Sequence, residues 1–483
     1  MPVPGRMDRR SVLRVLAGTG AVTAAGQWLS SPASLAAAPA APAGVPGHSA
    51  RPPDQVIAAD VRSEFLRAWN AYQRLAFGRD ELLPLSGAGS DFFADGHPVG
   101  LTIVEALDTL YLMELDDDLE RAVRWCEQNL SFDIDADFQV FETIIRMVGG
   151  LLSGFHATGR KSLLRLATDL ADRLLPAFTG SPTGAPYRFV NLRTGAVSGV
   201  ENVLAEIGTN VAEFGDLTRL TGDPKYLQAS KRAFRAAVDR RSALDLVGTS
   251  LNVETGAWVN QTATIDPPVD SFFEYLFDGF DLLGDRELLS WYQLLTAAIL
   301  RHEQETVDGR LWFRRVNMNT GAPVARRTSE LTAFYAGLLG QSGHFRLGAA
   351  FHDSWTAVTA RYPLIPEGFD YSTFTATGPG NQLRPEYVDA AFNLWLVSGR
   401  EIYRDRAYDY YQRVKRTCAV RNGYTIATDV TTTPVTLGDL TSAYWFSENM
   451  KYYYLMFAAS PRFDYRDNYL STEGNVLRGL RRP

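Results

Sequence analysis

The apolar positions of this chain fall into two kinds of helical stretch that alternate along most of its length. One kind is apolar nearly all round, as in Val140-Phe-Glu-Thr-Ile-Ile-Arg-Met-Val-Gly-Gly-Leu-Leu-Ser-Gly-Phe155, a pattern that predicts a helix buried on most faces. The other is amphipathic: between Asp223 and Arg240 the residues Tyr226, Ala229, Ala233, Phe234 and Ala237 form one stripe, while Lys225, Lys231, Arg232, Arg235 and Asp239 lie largely elsewhere. A short glycine turn joins the first kind to the second at Gly159, Gly222, Gly284, Gly343 and Gly399. These lie roughly 60 residues apart, the mark of a repeated supersecondary unit. Glycine is the expected cap after a helix, and Asp223-Pro224 reads as an N-cap followed by a first-turn proline.

A second repeat runs out of phase with the first. Asn191-Leu-Arg-Thr-Gly195, Asn252-Val-Glu-Thr-Gly256 and Asn317-Met-Asn-Thr-Gly321 sit among β-prone residues such as Tyr187, Phe189, Val190, Leu311, Trp312 and Phe313. They predict hairpins in the long connections from each outer helix to the next inner one. Apolar inner stretches are expected at about residues 100–113, 139–157, 202–220, 270–283, 329–341, 385–397 and 440–457, with a helix over 60–74 and the amphipathic partners outside them. The fold class expected is all-α: a single closed (α/α)7 barrel of seven inner and seven outer helices, with small β-hairpins on one rim. A sixfold ring or an open solenoid is the alternative.

Composition adds limits. A chain of 483 residues, 46% hydrophobic, supports a large core, and a net charge of −7 argues against nucleic acid or an anionic membrane as partner. Residues 1–40, with Met7-Asp-Arg-Arg-Ser-Val-Leu-Arg-Val-Leu-Ala-Gly18 and small-residue cleavage sites near Ala38 or Ala40, read as a twin-arginine export signal. A Pro/Ala-rich linker at 41–55 and one catalytic domain at 56–483 are expected to follow, in a secreted protein. No later run is apolar and long enough to span a bilayer. Cys126 and Cys418 are too few for a zinc site, and they are expected as buried free thiols because that export route carries proteins folded in a reducing compartment.

The candidate chemistry is acidic. In Gln382-Leu-Arg-Pro-Glu-Tyr-Val-Asp389, Pro385 suits a first helical turn, so Glu386 lies at the positive end of a helix dipole, where an acid is expected to stay ionised. Asp389 is one turn on and Arg384 just before. Alone this is a capped helix start, but the arrangement recurs: Glu142 with Arg146, Asp270 with Glu274, then Glu206, Glu213, Glu330 and Glu448. Unpaired buried carboxylates cost on the order of several kcal/mol, so a ring of them at one mouth needs a reason. Two facing carboxylates, one protonated and one ionised, are what glycoside hydrolysis requires. Phe141, Phe272, Phe273, Tyr387, Tyr444 and Trp445 beside the acids either stack on sugar or pack the core.

Eight stretches in order carry a family resemblance: Phe65-Leu-Arg-Ala-Trp-Asn-Ala-Tyr72, Asp80-Glu-Leu-Leu-Pro-Leu-Ser86, Thr102-Ile-Val-Glu-Ala-Leu-Asp-Thr-Leu-Tyr111, Phe141-Glu-Thr-Ile-Ile-Arg146 with Gly149-Gly-Leu-Leu-Ser153, Leu204-Ala-Glu206, Asp270-Ser-Phe-Phe-Glu-Tyr-Leu276, Leu383-Arg-Pro-Glu386 and Ser471-Thr-Glu-Gly474. The chain resembles glycoside hydrolase family 47, the class I α-1,2-mannosidases with the ER-degradation-enhancing mannosidase-like proteins. The resemblance implies a sevenfold barrel and a calcium ion (Ca2+) at its floor, held by the carbonyl and hydroxyl of Thr472 and by waters. It implies Glu142 as general acid on the departing oxygen, directly or through a water, Glu386 as the base that activates water, and Asp270 as a third catalytic carboxylate. Arg146, Glu213, Glu274, Arg384, Asp389 and Glu448 are implied to bind substrate or hold calcium waters.

The expected function is a secreted, monomeric, calcium-dependent inverting exo-α-mannosidase that removes terminal α-1,2-linked mannose from mannose-rich glycans. The alternatives are a mannose-glycan-binding protein with little turnover, or an α-mannosidase of different linkage. Several departures bear on specificity. Asp389 stands where many members have Glu, Asp266-Pro-Pro-Val-Asp270 replaces a Gly-rich or Arg-containing approach, and Glu330 stands where His is frequent. Ser329-Glu-Leu-Thr-Ala-Phe-Tyr335 is closer to the degradation-enhancing branch.

Overall fold

The computed structural model describes residues 51–482, so the predicted export signal and all but the last residues of the linker lie outside the described residues. Two concentric rings of helices make up the domain. The inner ring runs through Leu101–Glu105 with Leu107–Leu112, Val140–Glu142 continuing to Thr158, Leu204–Gly208 with Val211–Thr221, Asp270–Leu283, Glu330–Ala333 with Phe334–Gln341, Glu386–Ser398, and Trp445–Asn449 with Met450–Phe457. The outer ring is Asp54–Leu75, Asp116–Asn129, Lys161–Thr179, Lys225–Val238, Arg286–His302, Phe345–Thr359 and Glu401–Cys418. Among the described residues this is seven inside and seven outside, as the periodicity predicts.

Each inner helix touches the next, the last touches the first, and the first outer helix packs on the last inner one, so the ring closes. Closure needs small residues at the contacts: a Cβ on Gly150 would come within 2.9 Å of the Val104 carbonyl oxygen on the neighbouring helix. The first helix starts at Asp54, two residues inside the expected linker. Asp54 is an acid in the first turn, and its carboxylate is bonded by Arg51 and Arg404, which fixes the helix start there. Cys126 and Cys418 are buried free thiols. No helix among the described residues is long and apolar enough to cross a membrane.

The two sequence repeats mark opposite ends of the barrel. Gly159, Gly222, Gly284, Gly343 and Gly399 all have positive φ, between 68° and 95°, at the inner-to-outer turns. At the other end, Asn191, Asn252 and Asn317 each fold a hairpin in the same way. The side-chain oxygen accepts the N–H groups two and three residues on, and the backbone carbonyl accepts the N–H of the closing glycine at 2.7–2.8 Å. A fourth copy escaped the sequence pattern because Asp370 replaces the asparagine and Phe374, with φ 57°, replaces the glycine. Each hairpin pairs with the strand leading into an earlier inner helix, as Phe189–Asn191 does with Asp137–Gln139, giving three-stranded sheets around the rim.

The C-terminal segment turns back into the ring as a small hairpin, Tyr469–Leu470 with Val476–Arg478. Lys451, fully buried, anchors it: the ammonium is 2.7 Å from the Asp108 carboxylate and donates to the Gly474 carbonyl, while Asp108 also accepts the Val476 N–H at 2.8 Å. Asn475 adds a bond to the Ile145 carbonyl. Removing one member of such a pair strands the other charge in the core. Asp108→Ala is therefore expected to lower unfolding free energy by about 3–5 kcal/mol in urea titration, and a change below about 1 kcal/mol would show that the pair anchors nothing.

Candidate active site

A cavity of about 240 Å³ opens at the N-terminal ends of the inner helices, on the rim that carries the hairpins. Glu142, Arg146, Asp270, Glu274, Arg384, Glu386, Asp389, Glu448 and Thr472 all line it. These are nine of the ten site residues expected from sequence, and they come from five different parts of the chain.

Glu213 is the exception. It is fully buried away from the lining, where Tyr275 donates to it at 2.7 Å and its second oxygen has no partner. The acid that reaches the cavity from that stretch is Glu206, two turns nearer the rim and before the break at Thr209-Asn210. It is held by Gln139 and Arg188, each at 2.8 Å. A seven-residue separation puts both acids on one helical face, so sequence alone could not choose between them.

Two local distortions aim the acids. Directly after Glu142 the helix widens to a π-helical turn over Thr143–Val148, and Glu448 lies in another, Trp445–Asn449. Such widenings shift the register of side chains on an inner helix and recur at functional sites. Glu386 is the first residue of its helix, because Pro385 sits one place earlier than expected, in the capping position. The residue two before that, Leu383, has φ 62°, a left-handed conformation costly for a bulky side chain. It is held by the Asn381 side chain on its N–H at 3.0 Å and by Asn449 on its carbonyl at 2.8 Å, and Tyr444 bonds the preceding carbonyl of Gln382.

Charge is distributed unevenly. One guanidinium, Arg146, serves three acids: Glu142 at 2.6 Å, Glu473 at 2.6 Å and Glu105 at 3.1 Å. Arg384 is tied to Glu367 at 3.2 Å, a partner in the loop before it that no sequence motif signalled. Glu473 and Glu105 were inside recognised motifs but unassigned. Burial pushes Glu105 to about 8, Glu473 to about 7, Asp389 to about 7 and Asp270 to about 6, and holds Glu274 and Glu448 well above the usual carboxylate range. Glu386 corrects a sequence expectation. Burial raises it to about 8 against the opposing pull of Arg384 and its own N–H, so enclosure outweighs the helix dipole that was expected to keep it ionised. One of its oxygens is buried without a partner.

Of the aromatics expected beside the acids, Phe141 and Tyr444 line the cavity, joined by Phe334 and Tyr452. Phe272, Phe273, Tyr387 and Trp445 pack the core. Glu330 is fully buried behind the wall, bonded by Asn381 at 2.9 Å and Tyr410 at 3.3 Å.

Thr472 enters on the C-terminal hairpin and donates to Glu274, one of several acids around the cavity floor. No three Asp, Glu, His or Cys side chains among the described residues form a metal-binding group. A neutral threonine oxygen amid carboxylates that exceed the nearby cations is instead the donor chemistry of a hard, largely hydrated ion.

A sugar-sized cavity ringed by acids from several inner helices of a closed helical barrel is the architecture of a glycoside hydrolase. Its family follows from comparison: the profile of Glycosyl hydrolase family 47 matches residues 64–479, and the chain belongs to that family. Alpha-mannosidase I MNS4 of Arabidopsis thaliana is 34% identical over 456 residues, 90% of this chain and 72% of that protein. ER degradation-enhancing alpha-mannosidase-like protein 2 of Mus musculus is 31% identical over 458 residues, 91% of this chain and 76% of that one. The solved α-1,2-mannosidase from Trichoderma reesei superposes with a TM-score of 0.81 at 25% identity, covering 89% of this chain and all of that one.

Glu213 offers a test free of the cavity. Burial raises it to about 8, so the folded state holds its proton where an unfolded glutamate has lost it, and stability falls as pH rises from the unfolded value toward 8. Glu213→Gln should remove that part of the decline, about 4 kcal/mol between pH 5 and 9, in urea midpoints. An unchanged slope would mean that Glu213 is ionised in the folded protein.

Proposed function

We propose that this protein is a calcium-dependent, inverting exo-α-mannosidase that removes terminal α-1,2-linked mannose from mannose-rich glycans. The observation that carries the reading is the pairing of Glu142 and Glu386 on one sugar-sized cavity whose floor is Thr472. The mannosidase names of the relatives support the substrate class.

Glu142 supplies the proton to the departing oxygen. Arg146 holds it in place at 2.6 Å and is shared with Glu105 and Glu473, whose raised proton affinity keeps protons in the cluster at this end of the cavity. Glu386 takes the proton of the attacking water: Arg384 beside it favours its ionised form against burial, and one of its oxygens is left without a partner. Inversion follows if water attacks opposite the acid, with no sugar bonded to the enzyme. Asp270 and Arg384 orient the ring, and Glu448, Asp389 and Glu274 surround the floor. Calcium would be held by Thr472 with the floor carboxylates around its waters, where it would orient the sugar's vicinal hydroxyls and the nucleophilic water. We further propose that the chain acts as a monomer after export, directed by the twin-arginine pattern at Arg9-Arg10.

Purified protein with α-1,2-mannobiose, followed by NMR, is expected to release β-mannose first. A chelator should stop release and added calcium restore it, and Thr472→Ala should weaken calcium affinity at least tenfold by calorimetry. Release of the α-anomer, or indifference to chelator, sinks the mechanism. Sugar binding without turnover would move the protein to the glycan-binding reading that its likeness to the degradation-enhancing proteins keeps in view.

Glu142→Gln and Glu386→Gln should each lower kcat by about 10² or more with the thermal midpoint kept. A fully active variant would remove that residue from the chemistry.

A further inference from the structure

Phe92 is one of the few large apolar side chains left in water, with 37% of its surface exposed. It lies in the connection from the helix Asp54–Leu75 to the inner helix that starts at Leu101, hence on the rim that carries the cavity mouth. Its ring centre is 5.3 Å from the guanidinium carbon of Arg146, the residue that grips Glu142, and the ring of Tyr444 is 5.7 Å from the same carbon.

The ring is held rigidly. The Phe92 N–H donates to the buried Asp80 carboxylate at 2.9 Å, and that carboxylate also takes the N–H groups of Val99 and Leu101. Asp91 is paired with Arg79 at 2.7 Å and caps Gly96 at 2.8 Å. Phe93 meets the Phe92 ring edge-on at 4.9 Å and stacks on Phe138 at 5.2 Å. Contact with Arg146 accounts for one part of the ring. The rest of the ring is exposed on the rim, one guanidinium away from Glu142, the acid proposed to serve the departing oxygen.

We propose that Phe92 is the platform for the leaving-group sugar, stacking on the apolar C–H face of the mannose beyond the scissile bond. The inference rests on the α-mannosidase reading and adds a specificity residue outside the cavity. A rigid aromatic beside the mouth binds a sugar ring at little cost in side-chain entropy, and a residue there favours substrates that continue past the first mannose.

The test compares wild type with Phe92→Ala, Phe92→Leu and Phe92→Trp. Leucine keeps apolar cover over Arg146 and loses only the flat face. Kinetics use α-1,2-mannobiose and an α-1,2-linked mannotriose, and calorimetry uses 1-deoxymannojirimycin, a monosaccharide-sized probe that fills the cavity alone. Alanine and leucine are expected to raise KM for both substrates about five- to tenfold with kcat within about twofold, tryptophan to stay near wild type, and deoxymannojirimycin affinity to be unchanged in all. An unchanged KM in the alanine and leucine variants overturns the proposal. So does a parallel loss of deoxymannojirimycin affinity, which would assign the ring to Arg146 alone. If wild type hydrolysed no α-mannoside, the reading of the whole site would fall and this inference with it, by a result distinct from either.

Discussion

The interaction on which the site depends is the sharing of Arg146 among Glu142, Glu105 and Glu473. One cation cannot satisfy three enclosed carboxylates, so the cluster must retain protons or recruit positive charge from outside. Either outcome is useful to hydrolysis. A retained proton is a general acid, and an excess of negative charge over a threonine-floored cavity attracts a hard cation.

The barrel makes such a cluster tolerable by spreading its supports over elements far apart in sequence. Glu105 comes from the first inner helix, Glu142 and Arg146 from the second, and Glu473 from the C-terminal hairpin that Lys451 and Asp108 lock inside the ring. The hairpin therefore completes the barrel core and delivers two site residues, Thr472 and Glu473, in the same stroke. Stability and chemistry meet in one segment: loosening the anchor would move the floor of the cavity.

How much of this could be read from sequence follows from what each signal depends on. The ring count was legible because burial all round and burial on one stripe leave different periodicities, and because Gly159, Gly222, Gly284, Gly343 and Gly399 must occupy left-handed turns. Nine of the ten residues expected at the site line the cavity, seven of them from the short motifs and Asp389 and Glu448 from outside them. Glu213 misled because it shares a helical face with Glu206, and only the break at Thr209-Asn210 and the depth along the helix separate a cavity acid from a core acid. The ionisation of Glu386 misled for another reason. A helix dipole is a local property visible in Pro385-Glu386, whereas burial depends on every neighbour that the fold brings in, and burial is the larger effect here. Glu367 carried no signal at all, since its partnership with Arg384 exists only in the folded loop.

Glu330 shows how a departure from a family pattern can act without touching substrate. Read from sequence, an acid in place of histidine suggested altered recognition of the sugar. In the structure its carboxylate is buried and holds the Asn381 side chain, whose oxygen in turn receives the N–H of Leu383. Leu383 is the strained residue from which the chain enters Arg384, Pro385 and Glu386, so the effect of Glu330 passes through the angle at which Glu386 enters the cavity. On the function proposed above, recognition of the rest of the glycan falls to the rim, where the loop that presents Phe92 stands apart from the Asn381, Asn449 and Glu367 contacts that place Glu386. Chemistry and specificity are in this way carried by different layers of the same mouth: an inner layer of braced acids that the fold over-determines, and an outer layer of exposed loops that it merely positions.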